Sequence, residues 1–314
     1  MVVENVRYHY GFEATDGAFT AEWLYSFPRE RRQMLFERDN ATFVFGRHLK
    51  GRNQVISELT RPNSLFLSAA AQNGHDELTR IFLFFQAIQL DTGAPSQPAA
   101  LAVKLRRKEA DERIIRYLEM SGTGITGYRV DEASLDRLLS NYDTSIEFYP
   151  DGTSTLTQNN AEDRTLKLAH RGTAIEPVYL EFDQESMGTR RLLGLLVPIF
   201  QALDTGTPIL VDELDSSLHT QACELLLSLF GSPVTNPKGA QLIATTHDTN
   251  LLYSKHLRRD QVWFTEKGQE GATHLYPLTE FRTRKSDNLA RGYLQGRYGA
   301  TPFAGRAADL TSGL

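Results

Sequence analysis

The sequence predicts an α/β fold in which a mainly parallel sheet carries crossover helices, with an antiparallel β lobe and a helical insertion attached. Three observations predict it. Short alternating apolar and polar runs fill the N-terminal part, helical periodicity follows, and from residue 186 onward helices and strands alternate. Such alternation is typical of parallel sheets, because each parallel pair of strands needs a long crossover connection.

The chain divides into four predicted segments. We expect an antiparallel β lobe at 1–62, because turn signals such as "TDG" and "DN" separate its short runs. A helical insertion at 63–125 contains a Gly-, Pro- and Ser-rich linker candidate at 90–98, and short strands return at 126–185. The last segment, 186–314, should hold a helix at 188–204, a strand at 208–212, a helix at 216–230, a strand at 240–246 and strands near 261 and 274.

Composition narrows the class of protein. A length of 314 residues suffices for one large or two ordinary domains, and 40% hydrophobic with 23% charged residues excludes disorder, collagen and coiled coils. The formal net charge of -5 provides no overall basic surface, so nucleic-acid binding would need a local patch. The single cysteine, Cys223, fits the core of a protein in a reducing cytoplasm. No membrane span is expected, since no apolar stretch reaches about 18 residues. No export signal is expected, since the N-terminus "MVVENVRYHYGFE" has neither a basic n-region nor an apolar h-region.

Two adjacent carboxylates end the first strand of the last segment. The apolar run Ile209, Leu210 and Val211 is typical of a strand buried on both faces, and Asp212 and Glu213 follow it directly. In open α/β sheets, ligands bind outside the carboxyl ends of the strands. Two anionic groups there are costly unless a cation or hydrogen bonds meet them. Taken alone, the pair is explained equally well as an acidic cap for the next helix.

The next strand ends on polar side chains as well. The run "GAQLIATTHD" is apolar up to Ala244 and ends on Thr245, Thr246 and His247. Because the carboxyl ends of parallel strands share one rim, we expect the imidazole to lie near the carboxylates. A lone histidine in this position would more often be structural; beside two carboxylates, a functional role is favoured.

A third element precedes both strands. In "QESMGTRRLLGLL", Ser186 and Gly188 open a helix whose apolar positions Leu192, Leu196, Ile199 and Leu203 follow one face. Free backbone N–H groups at a helix start can bind an anion such as a phosphate, although a plain N-cap role for Ser186 is the simpler alternative. Arginines at 190 and 191 oppose the helix dipole, so we expect another role for them.

Together these elements resemble ABC-type P-loop ATPases. In that family "SMGT" corresponds to the signature motif, "ILVDE" to Walker B, "LDSSLH" to the D-loop and "TTHD" to the switch histidine. The resemblance narrows to RecF- and SMC-like bacterial AAA family ATPases, often found in phage-defence or abortive-infection loci. It is carried by "ESMGTRRLLGLL", "DELDSSLH", "GAQLIATTHDTNLL", "RRDQVWFTEKGQEGATHLYPL" and "RGYLQGRYGATPF".

The resemblance implies a P-loop NTPase core that uses ATP and Mg²⁺. Asp212 would hold the metal through water, Glu213 would polarise the attacking water, and His247 would bind the γ-phosphate. Two further residues, Ser186 and Gly188, would contact a γ-phosphate bound by the opposite subunit, and Asp215 would link the two halves of a dimer. A homodimer or a partner ATPase subunit is therefore implied, and nucleic acid or a defence effector is a further expected class of partner.

One motif of the family is absent from the printed sequence. No segment matches the Walker A loop Gly-x-x-x-x-Gly-Lys-Ser/Thr. We therefore expect the N-terminal part of the core to be missing, and the chain alone neither to bind ATP tightly nor to hydrolyse it. Two alternatives stay open: a non-catalytic subunit or regulator of an intact ATPase, and, less favoured, a metal-dependent nuclease using Asp212, Glu213 and Asp215.

Overall fold

The computed structural model describes residues 1–92, 101–102, 105, 112–131, 146–148, 154–156, 166–172, 176–284 and 287–301, with the backbone alone for 146–148 and 154–156. These residues belong to two compact units, Met1–Ile88 and Gln89–Leu314. The division falls inside the segment 63–125 that the sequence predicts as a helical insertion. No helix among the described residues is long and apolar enough to cross a membrane.

The first unit is an antiparallel meander of five strands, in sequence order, with three α-helices. Residues with alternating polarity form the strands, and one face of them packs on the helices through a core that includes Leu24, Phe36 and Phe66. The elements are β1 (Val2–Val3), β2 (Val6–Ala14), β3 (Phe19–Phe27), β4 (Gln33–Asp39), β5 (Thr42–Phe45), α1 (Asn53–Leu59), α2 (Phe66–Gln72) and α3 (Asp76–Gln86).

A buried carboxylate joins the meander to α2. Glu22 accepts hydrogen bonds from the backbone N–H groups of Phe66 at 2.6 Å and Leu67 at 3.0 Å, and from the Tyr10 hydroxyl at 2.9 Å. Burial raises the pKa of Glu22 although these hydrogen bonds oppose the shift. Because the first N–H groups of α2 have no partner within the helix, Glu22 acts as their acceptor from a distant strand.

The second unit combines one parallel sheet with antiparallel pairs. The parallel sheet has the strand order Leu242–Ala244, Ile209–Val211, Gln89–Asp91, and the second sheet has the antiparallel order Val178–Glu181, Leu166–His170, Ile125–Val130. The strands are β6 (Gln89–Asp91), β7 (Ile125–Val130), β8 (Ile146–Phe148), β9 (Ser154–Leu156), β10 (Leu166–His170), β11 (Val178–Glu181), β12 (Ile209–Val211), β13 (Leu242–Ala244), β14 (Trp263–Lys267) and β15 (Thr273–Pro277). The helices are α4 (Glu112–Met120), α5 (Met187–Thr205), α6 (Thr220–Gly231) and α7 (Leu289–Leu294).

Helix α5 is the centre of the second unit's core. The four apolar positions predicted to share a face, Leu192, Leu196, Ile199 and Leu203, are all buried, which confirms that prediction. Gly206 ends the helix in a left-handed conformation, with φ of 75°. The buried thiol of Cys223 packs in the same core, and burial raises its pKa to about 11.

The parallel sheet has one covered and one open face. Ile209 and Val211 of β12 point to the buried side, whereas Leu210 lies in register with Leu90 of β6 and Ile243 of β13 on the other side. Leu90 is 68% exposed and Ile243 is 59% exposed. We call Leu90, Leu210 and Ile243 the open face. Parallel sheets are normally covered on both faces, so this face lacks a layer among the described residues.

Two parts of the sheet differ from the prediction. The structure has a strand at Gln89–Asp91, parallel to β12, inside the range predicted as a helical insertion with a linker at 90–98. Three residues are too few for strand periodicity to be read from sequence, and the pairing partner lies far along the chain. The strands expected near 261 and 274 form the antiparallel hairpin β14-β15 and do not extend the parallel sheet.

Candidate functional site

The carboxyl ends of the three parallel strands form a polar rim. Asp91 ends β6 in register with Val211, and its carbonyl oxygen accepts a hydrogen bond from the Asp212 N–H at 2.8 Å. Chain segments 212–217 and 245–248 leave β12 and β13 side by side at this edge, and we call them the carboxylate rim. The predicted neighbourhood of Asp212, Glu213 and His247 on one sheet edge is therefore present.

A single threonine connects the two segments of the rim. The Thr245 hydroxyl donates to Asp212 Oδ1 at 2.6 Å and accepts from the Glu213 N–H at 2.8 Å. The Thr245 carbonyl also accepts from the Leu214 N–H at 2.9 Å. The hydroxyl has a single proton, which it donates to Asp212, while its oxygen accepts from the Glu213 N–H. These two hydrogen bonds fix the orientation of the Thr245 hydroxyl. Asp212 is thereby oriented, and its Oδ2 forms no hydrogen bond within the described residues.

Glu213 has a strained backbone. Its φ of 49° lies in the left-handed region, which is uncommon for residues other than glycine and costs about 1–3 kcal/mol. The hydrogen bonds of the Glu213 and Leu214 N–H groups to Thr245 hold this conformation. The carboxylate itself is exposed and has no partner in the part of the chain that the structure describes. Strain of this kind is typical of functional sites, where it fixes the direction of a side chain.

Asp215 closes the turn that follows. Its Oδ1 accepts from the Thr246 hydroxyl at 2.7 Å and from the His247 N–H at 3.1 Å. Burial alone would raise the pKa of Asp215, but these hydrogen bonds outweigh it and hold the pKa below the ordinary value of 3.8. In this chain Asp215 therefore binds the two segments of the carboxylate rim to each other.

We expect Asp215→Asn to lower the free energy of unfolding by about 1–2 kcal/mol at pH 7, because a charged acceptor of two hydrogen bonds becomes a neutral one. The folded pKa is depressed, so this stabilisation is present above pH 3.8 and is lost as the pH falls through the folded pKa. Urea denaturation at pH 7 and near pH 3 would measure the difference. The exposed Asp183→Asn is the control, and an equal deficit at both pH values would contradict the assignment.

His247 is positioned through its backbone. Its N–H binds Asp215, and the next residue, Asp248, accepts from the Thr220 hydroxyl at 2.5 Å and from the Asn250 N–H at 2.9 Å. The imidazole is exposed and makes no hydrogen bond to a described residue. The histidine side chain is thus available to a ligand at the rim, while the chain on either side of it is fixed.

The start of α5 lies against the same turn. Ser186 Oγ accepts from the Thr189 N–H at 3.1 Å, which confirms the N-cap interpretation of this residue. Glu185, buried just before it, binds His170 Nε2 at 2.5 Å and fixes the entry to the helix. A Cβ atom on Gly188 would stand 2.6 Å from the Ser217 carbonyl oxygen. The signature-like residues therefore contact the D-loop-like turn of their own chain.

Gly188→Ala should destabilise the protein by about 1–3 kcal/mol, because the new methyl group meets a backbone oxygen that cannot move without disturbing the turn. Gly231→Ala is a matched control at the end of α6, where the added Cβ finds ordinary contacts at 3.9 Å or beyond. Thermal unfolding of both variants would measure the effect. A Gly188→Ala protein as stable as the control would show that the close approach to Ser217 is not important.

Sequence reasoning missed one ion pair at the rim. The Arg191 guanidinium donates to the Asp91 carboxylate, and its Nη2 donates to the Asp212 carbonyl oxygen at 3.2 Å. The side chains of Arg191 and Asp91 are only 8% and 16% exposed. The only sign of this pair in the sequence was the electrostatically unfavourable position of Arg191 in the first helical turn. The structure explains that position by the contacts of Arg191 with Asp91 and Asp212. Asp91 carried no comparable signal.

The residues fit a nucleotide-bound metal better than a metal held by protein alone. Among the described residues, no group of three or more His, Cys, Asp or Glu side chains could hold a metal ion. Mg²⁺ often binds through one or two carboxylates together with substrate phosphates and water. The oriented Asp212 carboxylate, whose Oδ2 has no hydrogen-bond partner among the described residues, lies next to the exposed Glu213 and is suited to that arrangement.

Comparison with known proteins supports an AAA-type, P-loop ATPase-like family. A family model described as "AAA domain, putative AbiEii toxin, Type IV TA system" matches residues 2–252, a range that includes every predicted site residue from Ser186 to His247. No curated protein matches the chain. AAA domains have an α/β P-loop NTPase fold and use nucleotide, typically with Mg²⁺. Since the match covers most of the 314 residues, this chain belongs to the AAA domain family of putative AbiEii toxins.

Proposed function

We propose that this chain supplies the metal-binding and water-activating side of an ABC-type, RecF/SMC-like ATPase site. One observation carries the proposal: Asp212 and Glu213 end the central parallel strand, and Thr245 orients them from the adjacent strand end, two residues before the exposed His247. Carboxylates at the end of such a strand, beside a polar neighbouring strand end, suit phosphate-anhydride hydrolysis.

Each rim residue would have a separate task. Bound ATP with Mg²⁺ would supply the phosphoanhydride and a charge that neutralises its oxygens. Asp212 would hold the metal, with Thr245 keeping its carboxylate in place. Glu213 would orient and polarise a water molecule, and His247 would donate a hydrogen bond to a terminal phosphate. Phosphoryl transfer relies on such positioning and charge stabilisation more than on covalent chemistry.

The open face supports a further strand and helix that would complete the site. The edge of β13 away from β12 pairs with no strand among the described residues, and Ile243 of β13 and Leu90 of β6 are both exposed on the open face. Burial of a Leu or Ile side chain contributes about 1.5–3 kcal/mol. A strand added parallel to β13, followed by a helix over the open face, would bury both. Its connecting loop would emerge at the carboxylate rim, because the carboxyl ends of parallel strands share an edge. We infer that this segment carries the phosphate-binding loop.

The test is co-expression of the chain with the strand–loop–helix segment of a family member that has a Walker A loop. We expect no Mg²⁺-dependent phosphate release from the chain alone, and turnover once the segment is bound. Ile243→Lys should prevent binding of the segment, whereas Val234→Lys, at a residue that is 86% exposed outside the open face, should not. Turnover by the chain alone, or an inactive complex that nevertheless forms, would contradict the proposal.

A second candidate function is a non-catalytic partner subunit. It is favoured by the close approach of Gly188 to the turn at Ser217. This contact holds the signature-like start of α5 in place within the chain, and it does not require a phosphate-binding loop. The chain would then complete the ATP site of an intact ATPase. If so, it should stimulate an intact family member in a manner lost with Ser186→Arg and unchanged by Glu213→Gln. The opposite dependence on these two variants would favour the first function.

Family membership also favours a role in bacterial defence, with an effector or toxin activity governed by ATP. Cells that express the native chain with its completing segment should then plate phage less efficiently than cells that express the Glu213→Gln variant. Equal plating of phage on both strains, at equal protein levels, would speak against this role.

A further inference from the structure

A second concave site lies in the C-terminal part of the chain, outside the carboxylate rim. Arg282, Thr283, Arg284, Asp287 and Arg297 line a cavity of about 640 Å³, which we call the arginine cleft. None of these residues belongs to the segments 212–217 and 245–248. Sites for small molecules typically enclose about 300–1,000 Å³, so the cleft is large enough for a nucleotide.

The cleft residues Arg282 and Arg297 adjoin, along the chain, a buried aromatic cluster. Phe264 of β14, Leu278 and Tyr298 form a buried cluster, in which the Phe264 and Tyr298 rings stack with centroids 5.6 Å apart. Hydrogen bonds fix the loop above it: the Arg284 N–H donates to Asp287 Oδ2 at 2.8 Å, and the Arg259 guanidinium donates to the Arg284 carbonyl at 2.5 Å. The backbone of Arg284 is therefore held by hydrogen bonds on both its N–H and its carbonyl group.

The charges of the cleft are unbalanced. Asp287 lies 3.5 Å from Arg297 Nη1, and Arg297 Nη2 donates to the Arg282 carbonyl at 3.4 Å. The guanidinium groups of Arg282 and Arg284 make no hydrogen bond or ion pair within the described residues. One carboxylate thus faces three guanidinium groups. Arginines that converge on a concave surface focus positive potential and bind phosphate through paired N–H donors.

We propose that the arginine cleft binds a phosphate group of a nucleotide or of a nucleic-acid strand. The guanidinium groups of Arg282 and Arg284 would contact the phosphate oxygens, and the Thr283 hydroxyl would be a further donor. Asp287 would orient Arg297 rather than oppose the ligand. The arginine cleft would be the local basic patch that nucleic-acid binding requires in a protein with an overall charge of -5. The inference does not rest on the proposed ATPase function.

Binding to the full chain tests the proposal with two probes, pyrophosphate by calorimetry and a fluorescent 12-nucleotide single strand by anisotropy. EDTA is present throughout, so that the carboxylate rim has no metal with which to hold phosphate. We expect Arg284→Gln to weaken binding about tenfold or more, as loss of a charge-assisted contact does. Arg282→Gln should act similarly. The matched control Arg258→Gln removes the same charge from an exposed ion pair with Asp260 outside the cleft, and should change affinity less than twofold.

The two probes distinguish the sources of the phosphate. A nucleic-acid ligand predicts tighter binding of the oligonucleotide and a salt dependence whose slope falls by about 1 in Arg284→Gln. If the ligand is a nucleotide, pyrophosphate should bind at least as tightly as the oligonucleotide. If neither probe binds, or if Arg258→Gln weakens binding as much as Arg284→Gln does, the proposal is wrong. Circular dichroism of each variant would verify that it remains folded.

Discussion

Glu213→Gln is expected to lower the ATP turnover of the completed complex by about 100-fold or more, because a general base contributes about 10²–10⁴ in rate. Glutamine preserves the size of the side chain but cannot accept a proton from water. The native side chain is exposed and has no partner in the described part of the chain, so stability should not change. Phosphate release under saturating ATP and Mg²⁺, together with thermal unfolding, would measure both quantities.

The control for this prediction is Glu270→Gln, which removes an exposed carboxylate from the turn between β14 and β15. It should leave turnover within about twofold of the native rate, since surface substitutions away from a site have small effects. Nucleotide binding should persist in Glu213→Gln, because Asp212 is unchanged. A Glu213→Gln complex with native turnover would exclude Glu213 as the residue that activates water.

Arg191→Ala should lower the free energy of unfolding by about 3 kcal/mol, the range found when one partner of a buried ion pair is removed. The Asp91 carboxylate would lose its guanidinium in a site where it is only 16% exposed, and the Asp212 carbonyl would lose a donor. Two strand ends would thereby be released from α5. Equilibrium urea denaturation would measure the loss of stability.

Arg190→Ala is the matched control, since it removes the neighbouring arginine from the same helical turn, where no described partner is bound. We expect it to change stability by no more than about 0.5 kcal/mol. A double-mutant cycle of Asp91→Ala with Arg191→Ala would isolate the coupling between the two side chains. A loss below about 1 kcal/mol for Arg191→Ala would contradict a structural role for this pair.

The parts of the site that sequence could predict are those with local signals. The apolar run before Asp212, the polar end of the following strand and the apolar face of α5 all lie within short segments. The structure places the two strand ends at the carboxylate rim and the apolar face of α5 in the core. The pair of Asp91 and Arg191 joins residues separated by 100 positions. No periodicity predicts such a contact, because it depends on β6 pairing with β12 in the folded sheet.

The backbone conformation at the site could not be predicted from the sequence either. The left-handed conformation of Glu213 follows from its tertiary hydrogen bonds to Thr245, because glutamate has no intrinsic preference for that region. The role of Asp215 illustrates the same point: the resemblance implied a dimer contact, whereas the structure gives it partners within the chain, Thr246 and His247. A dimer contact remains a prediction for the assembled protein.

The most direct test of the account is Mg²⁺-dependent ATP hydrolysis by the chain bound to a Walker A-bearing strand–loop–helix segment, compared with the same complex carrying Glu213→Gln. We predict turnover by the native complex, a loss of about 100-fold in the variant, and no turnover by either component alone. Turnover that is indifferent to Glu213, or a stable complex without turnover, would contradict the assignment of the carboxylate rim as an ATPase site.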